Sequence, residues 1–126
     1  MSESHPFRLA VEAKDLEAAK EILREDIVLH SPILFRGFEG RDIVMQVLTH
    51  VAATLEDLTY VDELADERTV MLRFKAHVGD RELEGIDFLE LDEDGKVAEL
   101  TVFMRPLSAI NAFNEQMKVR LGVPAG

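Results

Sequence analysis

Apolar residues recur along this chain in two rhythms: a helical one through its first half and again at its end, and a period-two one between them. Phe7, Ala10 and Val11 form a stripe on a short helix that Ser4 or His5 can cap. Pro6 falls in its first turn, where a missing N–H loses no partner. Leu16, Ala19, Ile22 and Leu23 repeat the helical spacing behind Asp15, a second cap, so the chain opens on a bent helix pair. Residues 26–32 turn β-branched and stop at Pro32, which predicts a short edge strand. After a loop in which Gly37 and Gly40 bracket Phe38 and Glu39, the spacing of Ile43, Val44, Val47, Leu48, Val51 and Leu55 predicts a long amphipathic helix over 41–55.

From residue 57 the alternation is that of a sheet. One strand carries Leu58, Tyr60 and Leu64, with Asp62 alternating onto the Tyr60 face. The next carries Val70, Leu72, Phe74, Ala76 and Val78 on one side, against Arg73, Lys75 and His77 on the other. Gly79 and Asp80 turn it into the strand of residues 82–92, and DEDG at 92–95 turns that strand into KVAELTVFM. In this last strand Ala98, Leu100, Val102 and Met104 share one face, and Val97, Thr101 and Phe103 share the other. A strand apolar on both sides needs two covers, so a homodimer packed sheet to sheet is expected. Pro106 opens a closing helix striped by Leu107, Ile110, Phe113, Met117 and Leu121, and the tail GVPAG is expected to fray.

One position breaks the pattern. Leu83, Gly85, Asp87, Leu89 and Leu91 share a strand face, which puts Asp87 on the apolar side. A carboxyl group held there loses hydration, and its pKa rises.

Composition narrows the setting. At 126 residues, 47% hydrophobic and 31% charged, the chain is expected to be one globular domain over 1–126. Its net charge of −11 opposes nucleic acid and anionic lipid. No apolar run is long enough to span a membrane, and no signal-type segment opens the chain. The absence of cysteine removes disulfides, thiolate metal sites and Cys nucleophiles, and a cytoplasmic location is expected. The four histidines lack metal-ligand spacing, and Gly95 directly after Asp94 breaks the calcium-loop pattern, so neither a metal nor a cofactor is expected.

The order of KDLEAAKEILREDIVLHSP, GFEGRDIV, EGIDFLELDEDGKVAEL and FMRP resembles the nuclear transport factor 2 superfamily, which includes ketosteroid isomerase, scytalone dehydratase and the SnoaL-like polyketide cyclases. The resemblance implies an α+β fold: a cone-shaped, curved antiparallel sheet wrapped around the long helix, with an N-terminal helix pair and an additional C-terminal helix. It also implies that Asp87 stands where ketosteroid isomerase has the acid that hydrogen-bonds the enolate oxygen. Ser31 stands at the position of that enzyme's general base, and Phe7 at that of its oxyanion tyrosine.

The catalytic candidates are therefore Asp87, then His30 and Ser31, of which strand alternation lets only one face a cavity. Phe7, Phe35, Phe38, Tyr60, Phe74, Leu100, Val102 and Met104 are the candidate lining. His50 borders the pocket or snorkels to water, His77 joins the charged side of its strand, and Arg105 requires an acid or an anionic ligand nearby, with a salt bridge the expectation. The expected function is binding of a small apolar molecule, with cofactor-free isomerisation, dehydration or cyclisation if the protein is an enzyme. The alternatives are a non-catalytic ligand-binding or protein-interaction dimer, and water activation of the epoxide-hydrolase kind with Asp62 as the second acid.

Overall fold

The computed structural model describes residues 4–122; the expected fraying of the tail concerns residues that otherwise lie outside this range. Helix α1 (Pro6–Glu12) starts at His5, whose Nδ1 accepts from the Phe7 N–H, and α2 (Leu16–Ile22) starts at Asp15, whose carboxylate accepts from the Ala18 N–H. Strand β1 (Leu23–His30) follows directly, then β2 (Phe38–Glu39), the long helix α3 (Arg41–Thr54), and strands β3 (Glu56–Ala65), β4 (Thr69–Val78), β5 (Arg81–Leu91) and β6 (Val97–Arg105). Helix α4 (Leu107–Leu121) ends at Gly122, whose φ of 70° satisfies a left-handed cap.

The six strands form one curved, mixed sheet in the order β2-β1-β6-β5-β4-β3, which does not close on itself. Two expectations need correction. β1 is not an edge strand, since β2 pairs with it on one side and β6 on the other. The sheet is also not purely antiparallel, because β1 runs parallel to β6. Residues 38–39 lie in a loop by local pattern and become a strand only through pairing with Val28 and Leu29.

Alternation decides which face is covered. Leu29, Leu72, Phe74, Leu83, Leu89 and Leu100 point to the inner face and are buried there under α3 and α4. Each contributes about 1.5–3 kcal/mol by leaving water. On β3 a register shift between Tyr60 and Asp62 adds one residue, so Tyr60 faces inward while Asp62 and Leu64 face outward opposite Arg73 and Met71. Leu64 is accordingly exposed, contrary to the simple period-two reading. Among the described residues no helix is long and apolar enough to cross a membrane.

Gly85 is where the inner face is tightest. A Cβ there would lie 2.6 Å from the Phe74 ring and inside contact distance of the Phe103 carbonyl oxygen. Glycine is thus required for the ring to lie flat against the strand. Gly85→Ala is predicted to destabilise the fold by about 3 kcal/mol. Urea unfolding checks this, and a change below about 0.5 kcal/mol would contradict the packing described.

Candidate functional site

Asp87 projects from the inner face of β5 between Leu72 on β4 and Val102 on β6, and only 8% of it is exposed. From β3, the Tyr60 hydroxyl donates to Asp87 Oδ2 at 2.7 Å. The Tyr60 ring is braced from two sides. Phe74 meets it edge to face, with centroids 6.2 Å apart, and the Arg8 guanidinium sits 5.9 Å from its centroid. Arg8 is itself held by Glu63 at 3.1 Å and Glu12 at 3.3 Å, tying α1 to β3 across the tyrosine.

These groups meet at one wall of an apolar cavity of about 540 Å³. Its sides are Leu29, Phe74, Leu100, Val102 and Met104 from the sheet, Val47, Leu48 and Val51 from α3, Phe7 and Ala10 from α1, and Phe113 and Met117 from α4. The last helix is pinned over it. The Thr54 hydroxyl, 2.7 Å from the His50 carbonyl oxygen, also lies 3.5 Å from Met117 Sδ, and Arg120 donates to the Ala53 carbonyl at 3.0 Å. The other ionisable lining residues, Glu12, Lys14, Asp15, Glu56 and Asp57, are exposed and sit at the rim.

Within the cavity Asp87 Oδ2 is occupied by Tyr60, and no donor among the described residues reaches Oδ1. Among the described residues no side-chain oxygen is both sealed from solvent and unpartnered, so Oδ1 opens onto the cavity. Burial pushes the Asp87 pKa up to about 6 against the opposing pull of the Tyr60 hydrogen bond. The Tyr60 hydroxyl is pushed upward as well, first by burial and then by the adjacent carboxylate, so it stays protonated and remains the donor of the pair.

The remaining candidates divide. Phe7, Phe38, Tyr60, Phe74, Leu100, Val102 and Met104 line the cavity, and so does Ser31, whose Oγ accepts from the backbone N–H groups of Ile33 and Leu34 and shapes that loop. His30 is a correction. It pairs in register with Thr101 on the outer face, its Nε2 lies 3.9 Å from Glu99, and it is not part of the lining, so it cannot serve as a base in the cavity. Phe35 is a second correction, fully exposed at the tip of its loop. Asp62 is a third: the extra residue in β3 turns it outward onto Arg73 at 2.6 Å, which leaves water activation by two carboxylates without its second acid.

His50 is not part of the lining, His77 pairs with Asp57 at 2.7 Å, and Arg105 has Glu84 at 3.3 Å. No group of three or more His, Cys, Asp or Glu among the described residues is arranged to hold a metal ion. Sequence reasoning missed Arg8 and Gly85. No short-range pattern marks either, since Arg8 meets Tyr60 directly from a distant part of the chain and Gly85 acts on it through Phe74.

The SnoaL-like domain model matches residues 6–100, which leaves α4 outside the matched stretch. No curated protein matches the chain. Among solved structures, the chain is similar to a steroid delta-isomerase from Pseudomonas aeruginosa, at 36% identity over 92% of this chain and 86% of that one, with a TM-score of 0.88. It is also similar to an uncharacterised bacterial protein with a cystatin-like fold from Silicibacter pomeroyi DSS-3, at 26% identity over 93% and 83% of the two chains, with a TM-score of 0.89. An NTF2-like protein of unknown function from Cytophaga hutchinsonii ATCC 33406 shares the fold at 19% identity over 83% and 88%, with a TM-score of 0.66.

The raised Asp87 pKa carries a sign for stability. The folded form holds the proton more tightly than the unfolded one, so the group's favourable contribution is complete below about pH 4 and lost as pH rises through 6. Above that, the buried carboxylate costs about 3 kcal/mol. Asp87→Asn, which keeps an acceptor for Tyr60, is predicted to be more stable than wild type at pH 8 and nearly equal to it at pH 4. Equal differences at both pH values in thermal unfolding would contradict this.

Proposed function

The chain belongs to the SnoaL-like domain family, and we propose that it binds a neutral, mostly apolar small molecule whose single hydroxyl or carbonyl group is held by Asp87. The observation that carries this reading is the free Asp87 Oδ1 in a mostly apolar cavity of about 540 Å³, a size within the usual range of small-molecule sites. A ligand carboxylate or phosphate would meet Asp87 with no cation among the described residues inside the cavity, Lys14 being exposed at its rim, so anionic ligands fit poorly. The 36% identity with a steroid delta-isomerase supports a ring system as the ligand's apolar part.

The chemistry available is movement of one proton without a cofactor. With its pKa near 6, Asp87 is largely ionised at pH 7 while the protonated form stays accessible. The carboxylate would take a proton from a carbon beside the ligand's carbonyl and return it to another carbon, an isomerisation with no net change in protons. In a dehydration the carboxylate would take the proton from the carbon beside the carbonyl and give it to the hydroxyl on the next carbon, which leaves as water as the C=C bond forms. The same group would thus act first as base and then as acid. A non-catalytic ligand-binding member is the second reading, favoured by Phe7, which brings no hydroxyl to the site, and by the use of Ser31 Oγ in its own loop.

A panel of phenols and cyclic enones tests the proposal. A phenol donates to the ionised carboxylate and is predicted to bind more tightly above pH 6. An enone accepts from the protonated acid and is predicted to weaken by up to about a hundredfold between pH 5 and 8, following the competent fraction. Asp87→Asn should flatten both profiles, and Tyr60→Phe should move the midpoint upward by removing a hydrogen bond that favours the charged form. Calorimetry showing the same affinities and pH profiles in wild type and Asp87→Asn would refute the role of Asp87.

A further inference from the structure

One uncharged polar side chain of the cavity wall has no partner among the described residues. Tyr60 donates to Asp87, and Ser31 Oγ accepts from the N–H groups of its own loop. Asn114 makes no hydrogen bond with any described residue, although it is half-buried and lines the same cavity. Lys118, one turn further along α4, turns to Glu115 at 3.8 Å instead. Nor is the Asn114 amide sealed away, since no sealed side-chain nitrogen or oxygen among the described residues lacks a partner.

Local structure gives no reason for an amide at this position. Asn114 lies at the middle of the 15-residue α4, too far from either end to cap it. Asparagine is also a poorer helix former than leucine. With Phe113, Met117 and Leu121 it completes the part of α4 that faces the cavity. At about 100° per residue these positions fall within an arc of about 100°, Asn114 and Leu121 nearly in line about two turns apart. The rest of that arc is apolar, and a leucine at 114 would continue it. A residue that breaks the local rule on a cavity wall, with no compensating contact inside the protein, marks a functional position.

We propose that the Asn114 amide is a second binding position of the cavity, where the ligand places an uncharged hydroxyl or carbonyl group in addition to the one at Asp87. This rests on the reading of the cavity proposed above and amends it in one respect, giving the ligand two polar groups on one apolar skeleton, as in a diol, a hydroxyketone or a diketone. An amide presents donor and acceptor side by side, so it pairs with a hydroxyl in either direction and with a carbonyl through its N–H. Because the amide does not titrate, its contribution is the same on either side of the Asp87 midpoint. The position lies on α4, outside the stretch that the SnoaL-like domain model matches.

Fluorescence titration of the full chain with a phenanthrol and its dihydroxy isomers, the second hydroxyl moved round the far ring, is the test. At least one isomer is predicted to bind wild type about fivefold more tightly than the monohydroxy compound, by the same factor above and below the Asp87 midpoint. Asn114→Leu should reverse that gain, because the second hydroxyl then lies unpaired against a leucine, and Asn114→Ala should abolish it. Both variants should leave the monohydroxy affinity within about twofold of wild type, which also reports an intact cavity. No isomer binding better than the monohydroxy compound, or a gain that survives both variants, would overturn the role of Asn114 while pH-dependent phenol binding still upheld that of Asp87. A gain lost in both variants, with phenol binding independent of pH, would sustain Asn114 and overturn the reading at Asp87.

Discussion

A single carboxyl group taken out of water constrains the rest of this structure. Asp87 can remain on the inner face only because one oxygen receives the Tyr60 hydroxyl and the other opens onto a cavity. The Tyr60 ring in turn rests on Phe74, which lies flat because Gly85 has no Cβ, and it is capped by Arg8 from α1. The chain of contact thus runs from a glycine on the same strand to a helix at the start of the chain. Each link is an ordinary packing requirement. Together they place one unsatisfied polar atom where a ligand would meet it.

Much of the fold is legible in local pattern because its elements are strongly periodic. The inner faces follow their alternation from Val70 to Val78 on β4 and from Leu83 to Leu89 on β5, which is why Asp87 could be assigned inward from Leu83, Gly85 and Leu89 alone. Where pattern misled, the cause was a register shift or a distant partner. One extra residue in β3 reversed Asp62 and Leu64 relative to Tyr60, and nothing in the composition of that segment marks it. β1 looked like an edge strand because Pro32 ends it, yet its neighbour β6 lies some seventy residues away and runs parallel to it. His30 followed from β1: alternation requires it to face opposite Leu29, and Leu29 is the residue the core takes.

The site is legible to a lesser degree because it is assembled from non-local contacts. Tyr60 belonged to the expected lining, but its pairing with Asp87 depends on strands β3, β4 and β5 lying in sequence across the sheet. The fold carries many chemistries, so family membership bounds the function less tightly than the polar groups inside the cavity do. Here the buried one is the Asp87 carboxyl, with Tyr60, Ser31 and Asn114 as the uncharged polar side chains of the lining. The inner face of the sheet encloses that carboxyl group under α3 and α4.

The most direct test of this account is an NMR titration of the Asp87 side-chain carboxyl carbon in the ligand-free protein. The account predicts a midpoint near pH 6, set by burial and lowered in part by Tyr60. A midpoint at about 4, the value of a hydrated aspartate, would mean that the carboxyl group stands in water and would contradict the site described.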